Sequence, residues 1–419
     1  MEKKGYKSAF AIVTLLFFMW GFLTCLNDIL VPHLKAVFDM NYTQTMLIQF
    51  TFFGAYLLMS IPAGKLIARI GYQLGVVAGL CTSGIGALLF YPAAGMLSYP
   101  LFLLGLFILA TGITVLQVAA NPYASVLGKP ETASSRLNLA QAVNSFGHTT
   151  APYIGGILIL GSALSAEQIA ALPSVEQHAA RITQASSVQM PYIGLAIALF
   201  VLALVMKLFH LPVIETVESH DSKKAHLRDA LKIRHTRLAA IGIFLYVGAE
   251  VSIGSFLVNF FGQKEIGGLT PEVAAKYVSF YWGAAMVGRF IGSALLQKLK
   301  SRGVLAVAAT FAAILVVTTI MLTGTPAMYT ILAVGFFNSV MFPIIFTLGI
   351  EDLGHLTSQG SSILVMAIFG GAVIPELQGV LADSIGIHTA FFLPALCYLY
   401  IIYYALVGSK HPTTNRVAA

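Results

Sequence analysis

Asp28 and Glu250 each interrupt an apolar stretch long enough to be a membrane helix, and they stand 222 positions apart. A charged carboxylate at bilayer depth costs about 2.5–3.5 kcal/mol on insertion scales, so its presence calls for a task. Three kinds of chemistry suit it: ligating a cation through oxygen, carrying a proton, or accepting hydrogen bonds from a sugar hydroxyl. Plainer readings stand beside these. Asp28 precedes Pro32 and could be a helix-end carboxylate reaching external water, and Glu250 could be a structural partner of Arg289. Ionisable groups inside a span are functional by default, which makes Asp28 a candidate for a coupling cation and Glu250 a candidate for a sugar.

A second set of residues is neutral. Asn138, Gln141, Asn144 with Ser145, and His148 recur at three- and four-residue spacing, which on a helix makes one polar stripe about 15 Å long. Amides suit a neutral polyol because each offers donors and an acceptor that bridge adjacent hydroxyls. The alternative is amide bonding between helices that merely holds a bundle together, and His148 fits that alternative better. Gln117 and Asn338 are separated by 221 positions. Either could orient a carboxylate or offer a carbonyl oxygen to a cation, but neither can carry a proton. Asn27 adjoins Asp28, and Glu376 and Gln378 follow Pro375; these are further sugar-binding candidates, or else a polar plug between helices. Trp20 lies two turns before Asn27 and shares its face, where it could stack on a sugar; tryptophans more often anchor spans or pack, as expected for Trp282.

The charges narrow the solute. Carriers of phosphates or carboxylates need cationic hooks, and the spans offer only Arg289, so the expected substrate is uncharged, with sugars leading. No nucleophile, base and orienting group occur together, which argues against an intramembrane enzyme. Gly370-Gly371 suits close helix packing rather than a phosphate loop. Cys25, Cys81 and Cys397 are too far apart in sequence for a metal-ligand pattern. No cofactor is implied beyond a coupling ion, and the driving force is expected to be an ion gradient or the solute's own.

The elements that must position these groups are membrane helices. With 58% apolar and 10% charged residues among 419, a soluble globular chain is excluded. About twelve stretches approach the roughly 20 apolar residues a span needs, near 9–34, 45–68, 73–94, 99–124, 137–161, 190–210, 237–262, 272–296, 304–323, 326–350, 359–382 and 387–408. They are too long and too continuously apolar for barrel strands. The net charge of +7 reports topology rather than nucleic acid: with both termini cytoplasmic, most Lys and Arg fall in inside loops. The Lys-rich start leads into an uncleaved first helix. Two polar loops stand out, about 162–189 outside, with a short helix expected at 166–172, and 212–236 inside. The second divides an N-terminal six-helix bundle, 1–211, from a C-terminal one, 237–419. An internal repeat supports the division. Asn121-Pro122 through Gly128 matches Phe342-Pro343 through Gly349, and Phe146-Gly147 before Pro152 matches Phe369-Gly370 before Pro375. Kinks are expected at Pro32, Pro62, Pro122, Pro152, Pro343 and Pro375.

The segments Leu26-Asn27-Asp28-Ile29-Leu30, Ala119-Ala120-Asn121-Pro122, Arg136-Leu137-Asn138-Leu139-Ala140-Gln141, Asn144-Ser145-Phe146-Gly147, Phe346-Thr347-Leu348-Gly349-Ile350 and Gly360-Ser361-Ser362 resemble the fucose permease and glucose/galactose transporter family of the major facilitator superfamily. The resemblance covers most of the chain. It implies an all-α membrane protein of twelve transmembrane helices in two six-helix bundles, with a central cavity and alternating access. It also implies that Asp28 matches the coupling carboxylate of the first span, and that Gln141 and Asn144 match amides facing the sugar. Where fucose permeases have a Glu in the fourth span this chain has Gln117, and Glu250 stands where that branch has Gln. The family includes sodium-coupled glucose transporters, and a hard cation suits Asp28 with neighbouring oxygen ligands.

The expected protein is a secondary active symporter of a neutral hexose, glucose or galactose, in a bacterial inner membrane, functional as a monomer in the lipid bilayer, with no nucleic-acid partner. Asp28 and Gln117 couple the cation, with sodium preferred and tentatively bound at Asp28. Asn27, Gln141, Asn144, Glu250, Asn338, Glu376 and Gln378 bind the sugar. The alternatives are a proton-coupled symporter of fucose or an amino sugar, a facilitative carrier, and the intramembrane enzyme.

Overall fold

A computed structural model describes residues 9–25, 38, 42–155, 172–209, 212 and 226–410. Asn27 and Asp28 lie outside the described residues, as do the 166–172 helix and most of the 212–236 linker. Among the described residues every regular element is a helix. In chain order the helices are α1 Ala9–Cys25, α2 Tyr42–Gly95, α3 Tyr99–Val126, α4 Ala133–Gly155, α5 Ser174–Ser186, α6 Gln189–Leu208, α7 Leu227–Lys232, α8 Arg234–Gly262, α9 Pro271–Leu295, α10 Ser301–Met321, α11 Gly324–Asn338, α12 Met341–Gly349, α13 Thr357–Met366, α14 Gly370–Ile385, α15 Ile387–Ala390 and α16 Phe392–Tyr403.

A 54-residue α2 would run to roughly 80 Å, far beyond a bilayer. Gly71, with φ 81° and ψ 172°, divides it into two helices, and only glycine takes up that backbone without strain. The two segments match the second and third expected spans. Eight stretches among the described residues are long and apolar enough to cross a membrane. Two more helices of crossing length, α4 and α9, fall outside that set because they are more polar, and they carry the amide stripe and Arg289.

Contacts divide the chain into two units, Met1–Tyr123 with Val143–Ile214, and Ala124–Ala142 with Glu215–Ala419. They depart from the sequence halves in one stretch, Ala124–Ala142, which groups with the second. In the first unit α2 packs along α6, with Phe90 stacked on Tyr192 at 4.3 Å. The Gln73 amide donates to the Met206 and Phe209 carbonyls at 2.9 and 2.6 Å, satisfying groups at the end of α6 that have no helical partner. The outward side of α6 is apolar, with Val201, Leu204, Val205 and Leu208 exposed. Lipid accepts such a face and water does not.

In the second unit α8 packs against α9, α12, α14 and α16, and α10 against α11 and α16. Helices run unbroken through Pro62, Pro92 and Pro122. The interruptions come elsewhere: at Ser339–Val340 between α11 and α12, ahead of Pro343, and at a 3-10 turn, Ala367–Phe369, ahead of Pro375.

The internal repeat is visible in how helices cross. In the first unit a side chain on Gly147 would strike the Phe18 carbonyl of α1, and in the second a side chain on Gly370 would strike the Phe244 carbonyl of α8. Gly147 and Gly370 are the repeat-matched pair, and each lets two backbones approach closely.

Candidate ion and sugar sites

In the first unit, Gln117 on α3 is buried, and its Nε2 donates to the Tyr56 hydroxyl on α2 at 2.8 Å. Its Oε1 is buried with no hydrogen-bond partner among the described residues. Asn144 is also buried, with Nδ2 donating to the Phe17 carbonyl of α1 at 2.8 Å. His148 contacts the Asn144 carbonyl of its own helix at 3.4 Å, whereas the sequence reading favours bonding between helices for it. Trp20 is buried against Phe17, ring centroids 5.0 Å apart, as a packing side chain.

In the second unit, Asn338 at the end of α11 joins four helices. Its Nδ2 donates to the Tyr281 hydroxyl of α9 at 2.7 Å, and its Oδ1 accepts from the Tyr398 hydroxyl of α16 at 2.7 Å. Its backbone carbonyl, left open where α11 stops, accepts from the Tyr246 hydroxyl of α8 at 2.9 Å. Tyr281 in turn donates to the Glu250 carbonyl at 3.5 Å. Glu250 and Arg289 face one another across α8 and α9, with Oε1 to Nη2 3.9 Å and only 13% and 14% of the side chains exposed. The same α9 turn holds α4, since Asn138 Nδ2 donates to the Arg289 carbonyl at 2.6 Å. Gln378 on α14 accepts from Ser252 of α8 at 2.5 Å. Gln141 is buried and Glu376 half-buried.

The sequence reading puts Asn338 and Gln378 at the sugar, whereas here neither has any exposed surface. The Asn338 amide is taken by two tyrosines, and Gln378 is bonded to serine. Glu250 does meet Arg289, the plainer of the two readings of that residue. Sequence reasoning missed the tyrosines. Tyr56 and Tyr281 are 225 positions apart, close to the repeat offset, and a tyrosine at membrane depth needs a partner for its hydroxyl. Those two facts together point to the amides at Gln117 and Asn338, which are themselves repeat-matched.

Helices of this order, polar groups gathered at span breaks and a duplicated helix crossing define a multi-pass membrane transporter rather than an enzyme. The sequence model of the Major Facilitator Superfamily matches residues 9–375. The glucose/galactose transporter of Brucella abortus is 53% identical over 98% of this chain and 96% of its own. The putative glucose/galactose transporter of Helicobacter pylori is 44% identical over 98% and 99%. The crystal structure of the Escherichia coli fucose:proton symporter superposes with a TM-score of 0.89 at 35% identity, covering 96% of this chain and 98% of that one. The chain belongs to the fucose permease and glucose/galactose transporter family of the Major Facilitator Superfamily, with the twelve-helix fold of that superfamily.

Proposed function

We propose that this protein is a symporter of a neutral hexose, glucose or galactose, driven by a cation gradient across a bacterial inner membrane. The observation that carries the solute is the 53% identity, over nearly the whole of both chains, with a protein named a glucose/galactose transporter. The charge arrangement supports it: Arg289, which the sequence reading places within a span, faces Glu250, so its charge is balanced within the protein instead of offered to an anionic substrate. Gln141, Asn144 and Glu376 are the proposed sugar ligands with Asn27, and Asp28 is the coupling carboxylate.

Sodium, the ion the sequence reading prefers, draws no support from the relatives. The relatives whose names specify an ion are proton symporters, and we take the proton as the coupling ion. The Lys and Arg distribution favours cytoplasmic termini, and the monomer is the proposed working unit. Counterflow in proteoliposomes across a hexose panel, with sodium and pH varied independently, tests both solute and ion. The expected result is exchange of glucose or galactose and accumulation driven by an inward proton gradient without sodium. Sodium-dependent accumulation at fixed pH would restore sodium, and exchange of neither hexose would remove the substrate assignment.

A further inference from the structure

We infer that Trp282 is the ring on which the hexose stacks in the second unit. This rests on the hexose reading above and deepens it, adding the side chain that meets the apolar face of the sugar. A tryptophan that anchors a span, a role the sequence favours for Trp282, belongs near a membrane–water boundary. Trp282 is instead the twelfth residue of the 25-residue α9, close to its middle, and 42% of it is exposed. Two accessible stripes run along α9 at helical spacing. Phe280, Val287, Phe290 and Ile291 form an apolar, exposed one that suits lipid. Ser279, Trp282, Met286 and Arg289 form the other, roughly 100° round the helix, and it carries a hydroxyl and a guanidinium, groups that avoid hydrocarbon. Toward the end of α9 this second face is covered by the stretch Ala124–Ala142. Asn138 Nδ2 donates to the Arg289 carbonyl at 2.6 Å, and Ser135 donates to the Ser293 carbonyl at 2.7 Å. The indole therefore stands on a side of α9 that turns toward protein, with its ring still open.

The ring is also fixed in advance. A side-chain carbon at Gly254 would lie 3.1 Å from Trp282 Cζ2, so the indole closes against α8 where a glycine leaves it room. Tyr281 meets it edge-on, ring centroids 5.1 Å apart at 78°, and the Asn338 amide holds the Tyr281 hydroxyl at 2.7 Å. A ring held on two sides loses little freedom when a ligand arrives. A pyranose has hydroxyls round its rim and C–H bonds on its faces. The rim calls for amides and charges, whereas the faces suit an aromatic ring, whose negative π surface meets weakly positive C–H hydrogens. Binding sites commonly join such an apolar wall to a few placed polar groups. Here the polar groups are at hand: Glu250 lies one turn before Gly254 on α8 and Arg289 two turns after Trp282 on α9, each with part of its side chain exposed. The other tryptophan of the chain, Trp20, is only 7% exposed and packs on Phe17, which leaves it little ring to offer.

The test uses the full-length protein in lipid. Because the chain has two tryptophans, Trp20→Phe leaves Trp282 as its only indole. That variant is titrated with galactose and with glucose, its fluorescence recorded while calorimetry measures binding. The emission of Trp282 is expected to change with the same midpoint as the heat, and bound sugar is expected to shield the indole from acrylamide quenching. Trp282→Ala is expected to bind hexose about tenfold more weakly, and Trp282→Phe, which keeps an aromatic face, to fall between it and the parent. The fluorescence titration leaves Trp282 in place, so it decides the matter even where Trp282→Ala fails to fold. Hexose binding with no change at Trp282, or unchanged affinity in Trp282→Ala, overturns the inference and leaves the hexose reading standing. Binding of no hexose by the parent protein overturns both.

Discussion

Two amides that look alike in sequence hold their surroundings to different extents. Gln117 makes one bond, to Tyr56, while the side chain of Asn338 is shared between Tyr281 and Tyr398. Replacing Asn338 by Leu removes two buried bonds and leaves the Tyr398 hydroxyl without its acceptor, at about 1–3 kcal/mol for that group alone, and replacing Gln117 by Leu removes one bond. Thermal unfolding in detergent should therefore drop further for Asn338→Leu than for Gln117→Leu; equal drops would show that these bonds do not set stability. Membrane depth, polarity and repeat spacing made both amides visible in the sequence. Their partners were not visible, because the partner of an amide is chosen by helix rotation, which no spacing of residues along one helix reveals. Glu250 was legible as an important charge, and its pairing with Arg289 as one of two readings.

At the scale of elements, the crossings of α1 with α4 and of α8 with α14 depend on glycine. A methyl at Gly147 or Gly370 lands on a backbone carbonyl, whereas one at Gly194 or Gly283 meets nothing within 4 Å. Gly147→Ala and Gly370→Ala should each destabilise by about 1–3 kcal/mol or more through overpacking, and Gly194→Ala and Gly283→Ala should leave unfolding temperature near that of the parent. A uniform response at all four sites would argue against backbone contact as the cause. The helices themselves were the most legible part of the chain, since twenty apolar residues in a row admit few structures. Even the Gly71 break fell where the sequence separates two spans. The breaks ahead of Pro343 and Pro375 were only partly legible: proline marked the neighbourhood, but Pro62 and Pro122 sit in helices that continue through them.

On the scale of the whole molecule, the stretch Ala124–Ala142 is tied into the second unit by serine and threonine. Ser134 and Thr347 hydroxyls meet at 2.6 Å, Ser301 donates to Ser134 at 2.9 Å, and Ser135 donates to the Ser293 carbonyl at 2.7 Å. The Ser135 and Ser293 hydroxyls are 3.4 Å apart, so cysteines at both positions should form a disulfide on oxidation. If these ties open during transport, the oxidised Ser135→Cys/Ser293→Cys protein should stop exchanging hexose and recover on reduction. Undiminished exchange after complete oxidation would mean that they stay closed throughout. The sequence halves placed this stretch with the first bundle, and only folding in three dimensions assigns it to the second unit. None of these side chains bears a charge. Added salt has nothing to screen there and a change of pH has nothing to titrate, so this fastening should hold equally well in dilute buffer and in brine, leaving acidity to act on the transporter elsewhere.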